Sequence, residues 1–323
     1  MLMIHDLYDL SDYDTCPKKI DSDKLDKLED LVDLCQDKGI KVIIDVHEIP
    51  GLVRWSGWKD FRLWEQGKTG EKFRNLLVET WKKLADTFED YPDSTVIFEL
   101  LNEAEPKEND WNAAENKNKG NLWNNLQTKL VSEIRKIDTV HTILSSPPYS
   151  WRINSIASSN WTPPKALLDD GKVMFAVHMY SPIDYTLQWA AWDNPKKALA
   201  YPGLFSDIGK QKVMWNAQKL RAAMDPIADF QKKYPGIPIV ITEFSVMRIL
   251  PGAAQYLSDL IDIFKELGLG WTYHVYKEAD YLNQFSDCSD TMFELDYVPP
   301  RGRKALTNDP LDRLKAIVKG FKN

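Results

Sequence analysis

Cysteine is scarce in this 323-residue chain. Cys16, Cys35 and Cys288 are scattered and odd in number, which offers neither a disulfide framework nor a zinc knuckle. Histidine is nearly as sparse, at five, and no two stand at the His-x-x-x-His spacing of a helical zinc site. An excess of basic residues is missing too. The 41 Lys+Arg face 48 Asp+Glu, a net charge of -7, which excludes the electrostatic footprint of a nucleic-acid binder. No apolar run approaches a membrane span, and the opening MLMIHDLYDL lacks the basic and apolar regions of a signal peptide. There is no Gly-x-Ser-x-Gly elbow of a serine hydrolase. Gly67-Lys68-Thr69 ends like a phosphate loop, but the first glycine such a loop requires falls at Arg62.

Aromatic residues, by contrast, are abundant: 12 Trp, 13 Tyr and 12 Phe. That suits stacking on flat ligands, sugars among them. With 43% hydrophobic residues the chain can bury a substantial core. Short apolar runs alternate with helical patterns. Ser22-Asp23 can cap a first helix whose stripe is Leu25, Leu28, Leu31, Val32, Leu34 and Cys35, and Gly39 ends it. The run IKVIIDVH then reads as a strand buried on both faces. Helices over 71–89 and 122–137 precede strands over 95–103 and 141–146. Strands over 172–180, 238–244 and 270–277 follow, and a helix over 310–321 closes the chain. Six strands joined by helices or long loops imply an α/β fold with a parallel sheet. We read it as one domain over 1–323, a truncated TIM (β/α)8 barrel opening with an irregular segment over 1–21. The segment 181–216 is too long for an idle loop.

Polar residues gather where these strands end: His47, Asn102-Glu103, His178 to Tyr180, Glu243, and His274 to Lys277. In a barrel those ends converge on the active face. Glu103 and Glu243 each end an apolar run, where a carboxylate is costly to desolvate unless it is paired or used. Each taken alone could be an ion-pair partner at the strand rim. Together they suit glycoside hydrolysis with retention, where an acid/base and a nucleophile stand roughly 5–5.5 Å apart.

Five runs carry a family resemblance: IIDVHEIPG, LLNEAEP, FAVHMY, PIVITEF and GWTYHVYKE. In this order they resemble the strand-end motifs of glycoside hydrolase family 5, the cellulase and mannanase family. The resemblance implies a secreted, O-glycosyl hydrolase of endo-β-1,4-glucanase type, needing no metal or organic cofactor. It implies that Glu103 is the acid/base and Glu243 the nucleophile. Asn102 would hold the sugar 2-hydroxyl, Tyr180 would orient Glu243, and His47 and His178 would line the donor subsite. Trp271 and His274 fall in the family's last motif. Trp55 and Trp151, on loops after strands, are further candidates for sugar contacts, as are Trp58, Trp64, Trp111, Trp123, Trp189, Trp192, Tyr201 and Phe205.

The sequence departs from the family in two places. His274 stands where the family has a tryptophan flooring the donor subsite, a loss of roughly 1–2 kcal/mol of stacking if nothing replaces it. The family's first strand, first helix and most of its second strand have no counterpart, nor does the arginine ending that strand. MLMIHDLYDL looks like the tail of the second strand. Residues 1–21, or a second copy of the chain in a homodimer, would then cover the open edge. Beside a β-linked oligo- or polysaccharide, no nucleic-acid or membrane partner is expected. Two other readings are a weak or inactive glycan-binding barrel and an esterase-type hydrolase using the same cleft.

Overall fold

The computed structural model describes residues 1–4, 7–8, 16–17, 19–53, 60–105, 114–150, 152–158, 161–187, 198–207, 211–246, 250–274 and 310–321. It divides into two units, one of residues 1–150, 155–176 and 236–238, the other of residues 151–154, 177–235 and 239–323.

In the first unit, β1 (Leu2–Ile4), β2 (Val42–Val46), β3 (Val96–Glu99), β4 (Thr142–Ser145) and the start of β5 (Val173–Met179) pair in parallel. Leu2 lies opposite Ile44, Val42 opposite Val96, Ile97 opposite Thr142 and Ile143 opposite Val173. Parallel neighbours need crossovers. Helices α1 (Ser22–Asp37), α2 (Gly67–Phe88), α3 (Ala114–Ile134) and α4 (Lys165–Asp169) supply them. All five positions of β2 are buried, as a strand covered on both faces requires.

The first helix begins one residue earlier than the sequence suggests. Asp21 is its cap, accepting from the Asp23 and Lys24 amides at 3.0 and 3.4 Å. Gly39, at φ +66°, closes it, with Gly39 N–H donating to Gln36 O and Ile40 N–H to Cys35 O. Its apolar stripe is only partly used: Leu25 and Val32 are buried, whereas Leu31 and Leu34 stay exposed. The second helix starts at Gly67 rather than residue 71, so Gly67-Lys68-Thr69 is a helix start.

In the second unit, the long segment after β5 is not a plain loop. It holds α5 (Ile183–Thr186) and an antiparallel pair, β6 (Gly203–Phe205) and β7 (Val213–Trp215). Then come α6 (Ala217–Ala223), α7 (Asp225–Lys233), β8 (Ile239–Phe244), α8 (Ala253–Glu266), β9 (Gly270–Trp271) and α9 (Pro310–Phe321). β8 and β9 are parallel, with Val240 opposite Gly270, and α9 packs on α8. The strand expected over 270–277 is described only as far as Trp271; residues 275–277 lie outside the described residues.

Strand order in the sheet is β1-β2-β3-β4-β5-β8-β9. That is seven parallel strands among the described residues, one more than the six the sequence suggests. The addition is β1, in the opening run that resembles the tail of the family's second strand, within a segment otherwise expected to be irregular. Its three residues are too few to show a period. It fastens to β2, with His47 N–H and Glu48 N–H both donating to Ile4 O.

Candidate active site

In the first unit the end of β2 and the turn after β3 are locked together. His47 is nearly buried, and its Nδ1 lies 2.7 Å from Asp45 Oδ2. A carboxylate oxygen only accepts, so Nδ1 carries the proton. The other ring nitrogen, Nε2, then accepts from Asn102 Nδ2 at 3.0 Å. The Asn102 backbone N–H donates to Val46 O at 3.0 Å, so main chain and side chain both tie it to the end of β2. The next residue, Glu103, is 7% exposed and has φ +40°, in the left-handed region that a side chain seldom adopts. Strain of this kind costs on the order of 1–3 kcal/mol and persists only where neighbours impose it. One neighbour is visible: Tyr149 N–H, itself at φ +61°, donates to Ala104 O at 3.0 Å. The structure thus brings His47 and Asn102 into contact, with Glu103 the residue that follows. Asp45 was missed, although Asp-x-His on a strand places both side chains on one face.

In the second unit the assembly centres on Glu243, on β8 and 5% exposed. Phe244 meets Phe264 of α8 edge-on at 5.0 Å, which turns Glu243 to the opposite face of the strand. Tyr180 OH donates to Glu243 Oε2 at 2.9 Å, and His178 Nδ1 lies 3.4 Å from the same oxygen. Among the described residues, Glu243 Oε1 is buried without a hydrogen-bond partner. Tyr180 is held in turn: Thr186 Oγ1 donates to its carbonyl at 2.6 Å, and Tyr256 OH donates to the Ser181 carbonyl at 2.8 Å. Burial raises the Tyr256 pKa well above its ordinary value, which keeps that hydroxyl protonated and donating. Ser181 Oγ and Ile183 N–H both donate to Asp207, at 3.1 and 3.0 Å. The long insertion therefore has a task, bracing the residue after Tyr180.

The remaining candidates behave differently. His274 is tied to β8 by its main chain, N–H to Phe244 O at 3.1 Å. The Trp271 ring stacks on Phe321 of α9 at 4.6 Å and meets Phe244 edge-on. It packs on the face of β8 opposite Glu243, so a sugar-stacking role for it finds no support here. Trp64, Trp123, Tyr201 and Phe205, candidates as cleft aromatics, are buried instead. Trp123 donates its indole N–H to Ser146 O at 2.8 Å and meets Trp64 edge-on. Trp55 and Trp151 lie outside the described residues, as do Trp58, Trp111, Trp189 and Trp192.

A parallel β/α chain whose buried acids, amide and imidazoles collect at strand C-terminal ends has the organisation of a barrel enzyme. The chain belongs to the cellulase family, glycosyl hydrolase family 5, whose sequence profile matches residues 5–280. It is accordingly an O-glycosyl hydrolase by family. It is similar to Endoglucanase C of Acetivibrio thermocellus, 24% identical over 285 residues that cover 80% of this chain and 74% of that protein. It is also similar to Endoglucanase 3 of Fibrobacter succinogenes, 23% identical over 274 residues, 77% of this chain and 38% of that one. Among solved structures, a family 5 xyloglucanase from Paenibacillus pabuli superposes with a TM-score of 0.70 at 18% identity, covering 94% of this chain and 81% of that one. Thermotoga maritima Cel5A in complex with cellobiose gives 0.63 at 20% identity, covering 93% and 79%. These likenesses establish the fold as a (β/α) barrel, here with seven parallel strands described rather than eight.

Proposed function

We propose that this chain is a retaining endo-β-glycanase acting on β-1,4-linked glucan, with Glu103 as acid/base and Glu243 as nucleophile. The observation that carries the reading is the asymmetry of Glu243. One oxygen is held by Tyr180 and approached by His178, while the other is buried and has no hydrogen-bond partner among the described residues. A purely structural carboxylate would have both oxygens satisfied. A nucleophile needs one oriented lone pair left for carbon.

In the first step Glu103 gives its proton to the glycosidic oxygen as the C1–O bond breaks, and Glu243 Oε1 bonds to C1 from the opposite side. Water then attacks C1, Glu103 takes its proton, and Glu243 leaves as carboxylate. Asn102 holds the 2-hydroxyl, a contact that strengthens as the ring acquires oxocarbenium character. Glucan is favoured because the relatives named above are endoglucanases. Mannan and xyloglucan are the competing substrates, since a neighbour of the same fold is a xyloglucanase and another was solved with mannotriose. The extracellular setting and the homodimer remain expectations from the sequence.

The test is hydrolysis of carboxymethylcellulose, mannan, xyloglucan and an aryl β-cellobioside by the wild type, Glu103→Gln and Glu243→Gln. The glucanase reading expects wild-type turnover on glucan, loss of it in both variants, and a β-configured first product by NMR. Equal background rates in all three proteins leave a glycan-binding barrel as the better reading.

A further inference from the structure

The geometry points to Asp45 as a positioning residue that, through the tautomer of His47, decides which edge of the Asn102 amide faces the substrate. This deepens the proposed function and rests on it for the role of Asn102.

The chain of reasoning uses three side chains. Asp45 is fully buried in the middle of β2, in a run that is otherwise Val and Ile. An acid there is expensive and must do something for its surroundings. Its Oδ2 lies 2.7 Å from His47 Nδ1. An imidazole without that acceptor is free to carry its proton on either nitrogen. In the neutral ring the carboxylate removes the choice, fixing the proton on Nδ1 and leaving Nε2 as a lone pair.

That lone pair then acts on Asn102. An amide can be turned end for end with little change of shape, so its hydrogen-bond partners alone decide which end is oxygen. Nε2 as an acceptor, 3.0 Å from Nδ2, selects the orientation with the NH2 group toward the ring. One amide hydrogen is used on His47, and the second remains for a sugar hydroxyl. With Nε2 protonated the amide would turn, present its oxygen to the ring, and face the substrate with its other edge. Asp45 thereby acts from a distance, touching neither the sugar nor the reacting atoms. The backbone supports the same arrangement, since His47 N–H donates to Ile4 O and Asn102 N–H to Val46 O.

The test joins a spectroscopic and a kinetic readout on the whole chain. Histidine side-chain 15N shifts of the wild type report the tautomer of His47, assigned with a His47→Gln variant. Turnover is compared between dinitrophenyl β-cellobioside and the analogue lacking the 2-hydroxyl on the sugar beside the leaving group. We expect Nδ1–H in the wild type. In Asp45→Ala the proton moves to Nε2, and the preference for the 2-hydroxyl substrate falls by about 10-fold, the scale of one lost hydrogen bond. Asp45→Asn, whose amide oxygen still accepts, falls between and serves if the alanine variant does not fold. An Nε2–H wild type overturns the inference. So does a variant whose tautomer changes without the 2-hydroxyl preference, or the reverse, or an alanine variant in which neither moves. A wild type without glycan turnover sinks the proposed function instead, and the ring resonances still decide whether Asp45 sets the tautomer.

Discussion

Tyr180 and Glu243 are joined by a 2.9 Å hydrogen bond in which the phenol donates to Oε2, while Oε1 has no hydrogen-bond partner among the described residues. A hydrogen bond to a charged group contributes about 1.5–3 kcal/mol. If it aligns the nucleophile, removing it costs rate before it costs stability. Tyr180→Phe keeps the ring and its packing beside His178, 6.4 Å away. We expect kcat/KM on aryl β-cellobioside to fall about 10- to 100-fold, with an unchanged circular dichroism spectrum and melting temperature. Full activity in Tyr180→Phe would show that the hydroxyl is incidental.

The buried Asp138–His141 pair makes a prediction about pH. Both residues are buried, and Asp138 accepts from the His141 ring and from the Val140 and His141 amides, each amide at 2.9 Å. Burial by itself raises the Asp138 pKa, but the three hydrogen bonds outweigh it and hold the carboxyl below its usual value. A depressed folded-state pKa contributes stability above the unfolded value, near 3.9, and that contribution is lost as pH falls through the folded value. Asp138→Ala should therefore destabilise the protein by about 2–3 kcal/mol at pH 7. The gap between variant and wild type should close below about pH 4. Urea midpoints across that range check it, and a gap independent of pH would assign the loss to packing alone.

Much of this architecture is legible in the sequence, and for definable reasons. Runs such as VIIDV and IVITEF are β-branched and apolar, so their place in a buried parallel sheet follows from burial on both faces. Glu103 and Glu243 stand out because an acid ending such a run needs a purpose. Other parts do not show. The β6–β7 pair puts Leu204 opposite Met214 with both side chains exposed, so no alternation of polar and apolar marks it. The tryptophans mislead for another reason. Composition counts rings but not what their N–H groups meet: Trp81 is core, as its helical place implies, but Trp123 too donates inside the core, to Ser146 O.

That gives Trp123 a sharp prediction. The ring is fully buried and its N–H satisfies a carbonyl at the end of β4. Trp123→Phe removes the donor and part of the volume together, leaving Ser146 O to find another partner. The expected cost is about 2–4 kcal/mol in stability, with KM for cellodextrins unchanged. A raised KM with an unchanged melting temperature would return Trp123 to the sugar-binding surface.

The turn that carries the chain away from His47 depends on Gly51, and a second glycine provides the control. Gly51 has φ +92°, and a Cβ there would lie 2.5 Å from Phe73 Cγ. Phe73 is buried and covered on one face by the Arg62 guanidinium at 4.5 Å, so moving it disturbs its packing. Its turn is also fixed by Asp60, which accepts from Gly51 N–H at 3.0 Å and pairs with Arg62 at 2.7 Å. Gly39 has a similar backbone, φ +66°, but a Cβ there meets nothing within 4 Å among the described residues. Alanine at 39 should then cost only the left-handed conformation, about 1–2 kcal/mol. Alanine at 51 should cost that plus overpacking of about 1–3 kcal/mol. Because the displaced turn follows His47 directly, Gly51→Ala should also lower activity, whereas Gly39→Ala should not. Equal stability losses in the two variants would mean that Phe73 yields, and that the turn is held by Asp60 alone.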